Sequence, residues 1–161
     1  MSEREVISKR IKEPLLSLQR EHESILRECG EMIAAVKNDP ANSNGKVSPS
    51  SAVKVRALSN LLVDHQSREE QILIPILDEM LGAEAIASIR VEHEQIIGLL
   101  GTLEEYTPPH KTSNGPRSDA LIDLAVEVES LLHEHFSREE NVLFWYASLQ
   151  TSSDRNSRTT Y

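Results

Sequence analysis

The sequence has one cysteine, few aromatic residues and no long hydrophobic run. Cys29 alone cannot form a disulfide within the chain, and a single cysteine fits a reducing compartment. The apolar runs are short and interrupted, which excludes a membrane-spanning helix. Residues 1–5 are polar and charged, unlike the apolar stretch of a secretory signal. We therefore expect a cytoplasmic protein without a membrane partner.

Basic residues are also scarce relative to acidic ones. Lys and Arg number 17 against 26 Asp and Glu, which gives a formal net charge of -9. This balance argues against nucleic acid as a partner, and solubility alone explains it. Aromatic residues make up 4% of the 161 residues, and Leu, Ile, Val, Ala and Glu dominate. The composition favours a single all-α domain.

What the sequence does contain is an internal repeat. Residues 65–70, His-Gln-Ser-Arg-Glu-Glu, match residues 135–140, His-Phe-Ser-Arg-Glu-Glu, at five of six positions. The pattern Glu-His-Glu-x-Ile precedes the first copy at residues 21–25 and the second copy at residues 92–96. In each half the two histidines lie roughly forty residues apart, which indicates that a two-helix unit is duplicated.

Four segments carry apolar residues at alternating spacings of three and four, the pattern of an amphipathic helix. The apolar pattern of the first predicted helix begins near Pro14, after a polar lead-in over about residues 1–12 that is expected to be partly helical. The second helix runs from near Ser50 through a kink at Pro75 to Gly82. A short turn leads to the third helix, and the fourth begins near Ser118. The predicted inward positions of the fourth helix are Leu121, Leu124, Val128, Leu131, His135, Glu139 and Val142.

The connections between these helices predict the topology. Loops rich in Asn, Ser, Gly and Pro are predicted at residues 38–49 and 107–116, on either side of the tight turn. This order predicts an up-down-up-down four-helix bundle over residues 1–149, followed by a disordered polar tail over residues 150–161. His22 and His65 each lie about 15 residues from the first loop, so both should lie roughly 22 Å from the same end of the bundle.

Histidines and glutamates occupy inward positions at this level. In His-x-x-x-Glu the imidazole and the carboxylate project from one face of a helix, and these donors suit iron, zinc or manganese better than calcium or magnesium. Burying carboxylates without partners is costly, so the alternatives are a core of hydrogen-bonded His–Glu pairs or a metal centre. The predicted metal ligands are His22, His65, Glu69, His93, His135 and Glu139.

Six donors exceed the needs of one tetrahedral zinc ion and suit two metals, each held by two histidines, with the carboxylates as bridges. Nitrogen and oxygen donors without thiolate favour iron over manganese or zinc. Ferritin-like di-metal bundles use Glu-x-x-His, in which the order is reversed and the spacing is three. The sequence therefore predicts a di-metal site in the core of the bundle, outside the ferritin-like class.

The pattern of these six residues resembles the hemerythrin-like family, also called the HHE cation-binding domain, over about residues 14 to 149. The resemblance implies a non-haem di-iron centre, oxo- or hydroxo-bridged, that binds, senses or reacts with dioxygen, peroxide or nitric oxide. Oxygen carriers of the family have a second histidine one turn after the first on the third helix, where this chain has Ile97. The carrier role is therefore disfavoured.

Several alternatives stay open at this point. The same centre could belong to an enzyme that consumes peroxide or nitric oxide, or to an iron storage or donation protein, and no catalytic residue is assigned. A helical interaction module without metal is the simplest rival. A sensing role would require a separate redox or signalling partner, and we expect a monomer or a weak dimer.

Other polar residues near the motif are predicted to lie outside the set of six ligands. His133 lies on the opposite side of its helix from His135 and should face solvent. Glu21 and Glu92 are interpreted as solvated helix charges. Glu70 and Glu140 adjoin the predicted ligands and are secondary candidates for contacts with the metal site.

Overall fold

The computed structural model describes residues 3–39, 47–107 and 118–156, with side chains between residues 16 and 142 apart from short gaps. The helices are α1 (Glu3–Lys37), α2 (Pro49–Arg68), α3 (Ile74–Leu81), α4 (Ala83–Tyr106) and α5 (Ser118–Asn156), with a π-helical turn at Glu69–Leu73. The π turn joins α2 to α3 in one continuous helical rod, so the described residues form four rods. The all-α prediction is confirmed over these ranges, which contain no strand.

The four rods pack around an elongated core. α1 contacts α2 and α5, and α4 contacts the same two rods. Near one end, Val36, Val55, Leu103 and Leu121 belong to one buried cluster. Near the other end, Leu18 of α1 packs in a second cluster with residues from the three other rods. Neighbouring rods therefore run antiparallel, and their middles meet between the two clusters.

The connection between α1 and α2 is fixed by polar contacts. Ser48 caps α2, because its hydroxyl accepts a hydrogen bond from the Ser51 N–H at 3.4 Å and Pro49 follows it. The Asp39 carboxylate accepts from the Ser48 N–H and the Ser51 hydroxyl, each at 2.7 Å. Residues 40–46 of this predicted loop and residues 108–116 of the second lie outside the described part, as does residue 117.

Gly82 ends the second rod as predicted. Its φ of 82° lies in the left-handed region that favours glycine, and its N–H donates to the Asp78 carbonyl at 3.0 Å. α4 begins at the next residue. None of the helices within the described residues is both long and apolar enough to cross a membrane.

Two helix ends differ from the predicted ones. α1 begins at Glu3, so the lead-in before Pro14 is helical along most of its length rather than in part, since residues 3–13 are mostly good helix formers. α5 continues to Asn156 and so enters the predicted tail; residues 150–156 contain no glycine or proline that would end it. Residues 157–161 lie outside the described part.

A π-helical turn directly precedes Pro75, where the sequence predicts a kink. Proline has no N–H to donate to the preceding turn, so the helix must adjust just before it. Here the Ile74 N–H donates to the Glu69 carbonyl, five residues back. The turn begins at Glu69, one of the predicted ligands, and π-helical turns inside α-helices are frequent at functional sites.

The inward face of α5 is wider than predicted. Leu121, Val128, His135 and Glu139 are buried, but Leu124 and Leu131 are partly buried. An α-helix turns slightly less per residue than a strict seven-residue repeat requires, so the buried stripe drifts around the rod. The further buried residues on α5 are Ala125, Leu132 and Phe136.

Candidate metal centre

The six predicted ligands meet in the middle of the core. All are buried: His65, His22 and Glu139 are 0–1% exposed, Glu69 and His135 2%, and His93 6%. Each comes from a helical position whose side chain points between the rods. Their proximity follows from the antiparallel packing, which sets the middles of all four rods at one level.

The imidazoles turn their Nε2 atoms toward the two carboxylates. Nε2 of His65 lies 2.9 Å from Oε1 of Glu69, and Nε2 of His93 lies 3.1 Å from Oε2 of the same residue. On the other side, Nε2 atoms of His22 and His135 each lie 3.5 Å from Glu139. Both carboxylates are thus shared between histidines of different rods.

These atoms lie close together, but among the six residues only the Nε2 atoms of His93 and His135 form a hydrogen bond with each other, at 3.1 Å. Both oxygens of Glu69, both oxygens of Glu139 and the Nε2 atoms of His22 and His65 are buried without a hydrogen-bond partner. Leaving buried carboxylate oxygens unpaired costs at least about 1–3 kcal/mol each. The carboxylate oxygens therefore lack hydrogen-bond donors in this arrangement, which would suit a positive charge placed between the donor atoms.

The donors form two overlapping groups. One group contains His22, His65, Glu69 and Glu139, and the other contains Glu69, His93, His135 and Glu139. Within each group the ligand atoms lie within 4.8 Å of one another. Each group could hold a metal ion, and the two glutamates are common to both groups.

In the metal-free site, burial and the neighbouring charged groups shift the pKa values of three histidines and of Glu69. Burial lowers the pKa of His22, but the carboxylates of Glu139 and Glu69 outweigh it and raise the pKa to about 9. The pKa of His93 is raised to about 9 for the same reasons. Burial lowers the pKa of His135. Although burial opposes ionisation of Glu69, the surrounding histidines hold its pKa well below the usual range.

Three carboxylates outside the six predicted ligands accept hydrogen bonds from the Nδ1 atoms of three of the histidines. Nδ1 of His22 donates to Glu140 at 2.8 Å, Nδ1 of His65 to Glu21 at 3.1 Å, and Nδ1 of His135 to Glu92 at 2.9 Å. Because a carboxylate only accepts, these contacts fix the Nδ1 protons and direct Nε2 inward, as in metal-bound histidines.

The interpretation of Glu21 and Glu92 as solvated helix charges was therefore wrong. Each reaches across to the histidine of the neighbouring rod, and each also pairs with the arginine of the repeated motif, Arg68 or Arg138. A helical wheel treats one helix at a time and cannot show such contacts. The available signal was the recurrence of Glu before His and of Arg three residues after His in both halves.

Sequence reasoning also missed Phe136. Its ring stacks on the His22 imidazole, with centroids 3.8 Å apart and planes at 7°. It occupies the one position at which the two hexapeptides differ, and its counterpart in the first copy is Gln66. A position at which the two copies of a repeat differ can indicate that their surroundings differ as well.

His133 and Ile97 lie where predicted. His133 is exposed, on the far side of α5 from the centre. Ile97 is partly buried and lines a cavity of about 410 Å³ together with His93. A smaller cavity of about 300 Å³ reaches His65 and Glu69 from the side of α1.

Comparison of the chain with protein-family models, with curated proteins and with solved structures finds no match. The function must therefore be inferred from the chemistry of the site.

Proposed function

We propose that this chain is a hemerythrin-like protein that holds two iron ions in its core and binds, senses or reacts with dioxygen or related small oxidants. Each ion would be held by two histidines of one half of the chain. Glu69 and Glu139 would bridge the ions. No catalytic residue beyond these ligands is proposed.

The observation that carries the proposal is the pair of overlapping donor groups with two shared glutamates. Four imidazole nitrogens and two carboxylates converge between two clusters of buried apolar side chains. The carboxylate oxygens have no hydrogen-bond partners there. Two cations would neutralise the two carboxylates and use the inward Nε2 atoms, which supports a dinuclear centre over a structural core of polar pairs.

The donor set supports iron as the metal. Imidazole with carboxylate and no thiolate suits iron, with manganese and zinc as weaker candidates. Each ion would receive two nitrogens and shared carboxylate oxygens, fewer than the six donors of an octahedral ion, which leaves positions for a small ligand. If bound there, two iron ions would each be able to supply one electron to an oxidant.

The residues around the centre have definable roles. Glu21, Glu92 and Glu140 hold histidine rings in the orientation that presents Nε2. Phe136 shields the His22 ring from water. Ile97 stands where a carrier would have a fifth histidine, which supports reaction or sensing over reversible carriage.

Two related functions would use the same six donors. A peroxide- or nitric-oxide-consuming enzyme would turn over its oxidant many times, and an iron storage or donation protein would release its metal readily. A cytoplasmic location, and a redox or signalling partner for a sensor, stay predictions.

The test is iron per chain after anaerobic loading and desalting, with an absorption spectrum before and after exposure to dioxygen. We expect about two irons per chain and a charge-transfer band that forms with oxygen and disappears on chemical reduction. His65→Ala and His135→Ala should each lose at least one iron. His133→Ala is the matched control, because it removes an exposed histidine from α5, the helix that carries His135.

Each outcome decides between the functions. A spectrum that reverses when oxygen is removed would restore the carrier role. Catalytic loss of peroxide or nitric oxide would identify the enzyme, and iron that passes to a weak chelator within minutes would identify a donor. Wild-type protein that retains no more iron than the His65→Ala/His135→Ala double variant would overturn the metal centre.

A further inference from the structure

The two halves of the centre are related by the internal repeat, so their outer contacts can be compared position by position. In the first half, His22 donates to Glu140, and Glu140 also accepts from the Gln19 amide at 3.3 Å. The repeat predicts the same contacts for His93, with Glu70 in place of Glu140 and Arg90 in place of Gln19. The structure departs from this symmetry.

Arg90 binds the carboxylate that the symmetry assigns to His93. Its guanidinium contacts both oxygens of Glu70, through Nε at 3.0 Å and Nη2 at 3.0 Å. Such a bidentate ion pair is the strongest geometry that arginine offers a carboxylate. Among the described residues, no hydrogen bond to Nδ1 of His93 is found, and its ring is held only from the Nε2 side.

The second difference lies on the same histidine. Phe136 covers His22, but its counterpart Gln66 leaves His93 beside the cavity of about 410 Å³ that both residues line with Arg90. Nε2 of Gln66 is buried without a hydrogen-bond partner. The His93 side chain is 8% exposed, whereas those of His22, His65 and His135 are 1–2% exposed.

We infer that the two metal positions bind iron with unequal affinities. The position formed by His22 and His65 fills first and binds its ion tightly. The position formed by His93 and His135 binds its ion more weakly and exchanges it. Arg90 sets the difference by keeping Glu70 from His93. The inference rests on the proposed dinuclear centre. Loss of such an outer partner typically weakens metal binding about 10- to 100-fold, which sets the expected ratio of the two affinities.

The test is an anaerobic titration of the metal-free full-length chain with iron(II) against a coloured competing chelator, which yields two stepwise affinities. The wild-type affinities should differ about 10- to 100-fold, and His93→Ala should abolish the weaker step while the tighter one persists. Glu140→Gln should weaken the tighter step about tenfold or more, whereas Glu70→Gln should change neither step more than about twofold.

A matched pair of exchanges probes Arg90 itself. Arg90→Gln installs the residue of the other half and frees Glu70, so the weaker step should tighten about tenfold, and adding Glu70→Gln should cancel that gain. Gln19→Arg should do the reverse and weaken the tighter step. Far-ultraviolet circular dichroism of each metal-free variant checks that its helices are intact.

The failures are distinguishable. If no iron binds the wild type above the chelator background, the dinuclear centre is wrong and this inference falls with it. If two ions bind with affinities equal within about threefold, or if Glu70→Gln weakens binding as much as Glu140→Gln, the positions are equivalent. The dinuclear centre would then stand and the inequality would be wrong.

Discussion

Replacing Phe136 by alanine should destabilise the protein far more than the equivalent change in the other half. Phe136 is 2% exposed and belongs to the main core cluster. Burial and cavity effects make Phe→Ala cost about 3–5 kcal/mol. The lost stack on His22, at 3.8 Å, adds about 0.5–1.5 kcal/mol. The sum is a large part of the roughly 5–15 kcal/mol that holds a domain folded.

The assay is urea unfolding of the metal-free protein, followed by circular dichroism. Gln66→Ala is the matched control at the equivalent position of the first half. Gln66 is partly buried, and its Nε2 makes no hydrogen bond, so its truncation should cost less than about 1 kcal/mol. If Phe136→Ala costs less than about 1 kcal/mol, or if Gln66→Ala costs as much as Phe136→Ala, the packing argument is refuted.

Three other outcomes follow from the structure. Because the pKa values of His22 and His93 rise from 6.5 to about 9 on folding, the metal-free protein should lose stability as pH rises through that window, while metal binding strengthens as protons leave. A urea midpoint that increases from pH 6.5 to 9 would contradict this. Gly82→Ala should cost about 1 kcal/mol in urea unfolding, because the φ of 82° strains any residue with a Cβ; a neutral result would mean that the turn relaxes. Burial raises the pKa of the Cys29 thiol to about 12, so iodoacetamide should label it at pH 8 in urea but not in the native protein, as mass spectrometry would show.

The position of the six buried donors could be predicted from the sequence because helical spacing decides which side of a rod each residue occupies. His22, His65 and Glu139 recur in step with leucine and isoleucine, so they had to point the same way as the core. The sequence placed His22 and His65 at one level because both lie about 15 residues from the first loop, whereas the match across the turn at Gly82 was looser. His133, two positions from His135, was placed outside by the same geometry.

The contacts between rods could not be predicted in this way. Glu21 looks like a surface charge on its own helix and becomes a partner of His65 only when α2 lies beside α1. The π turn at Glu69–Leu73 depends on how the helix accommodates Pro75 locally. Whether Glu70 pairs with His93 or with Arg90 depends on distances in the folded protein, which sequence spacing alone does not supply.

The candidate ligands are divided between the two halves of the chain, so the proposed centre would link the halves. Each donor group takes both of its histidines from one half and one of its carboxylates from the other. A cut at Gly82 would therefore leave two helical hairpins, neither of which would contain all four members of a donor group. Two copies of a single hairpin could bring the same residue types together around a twofold axis. Within one chain the two halves differ, as at Arg90, whose counterpart is Gln19, and at Phe136, whose counterpart is Gln66.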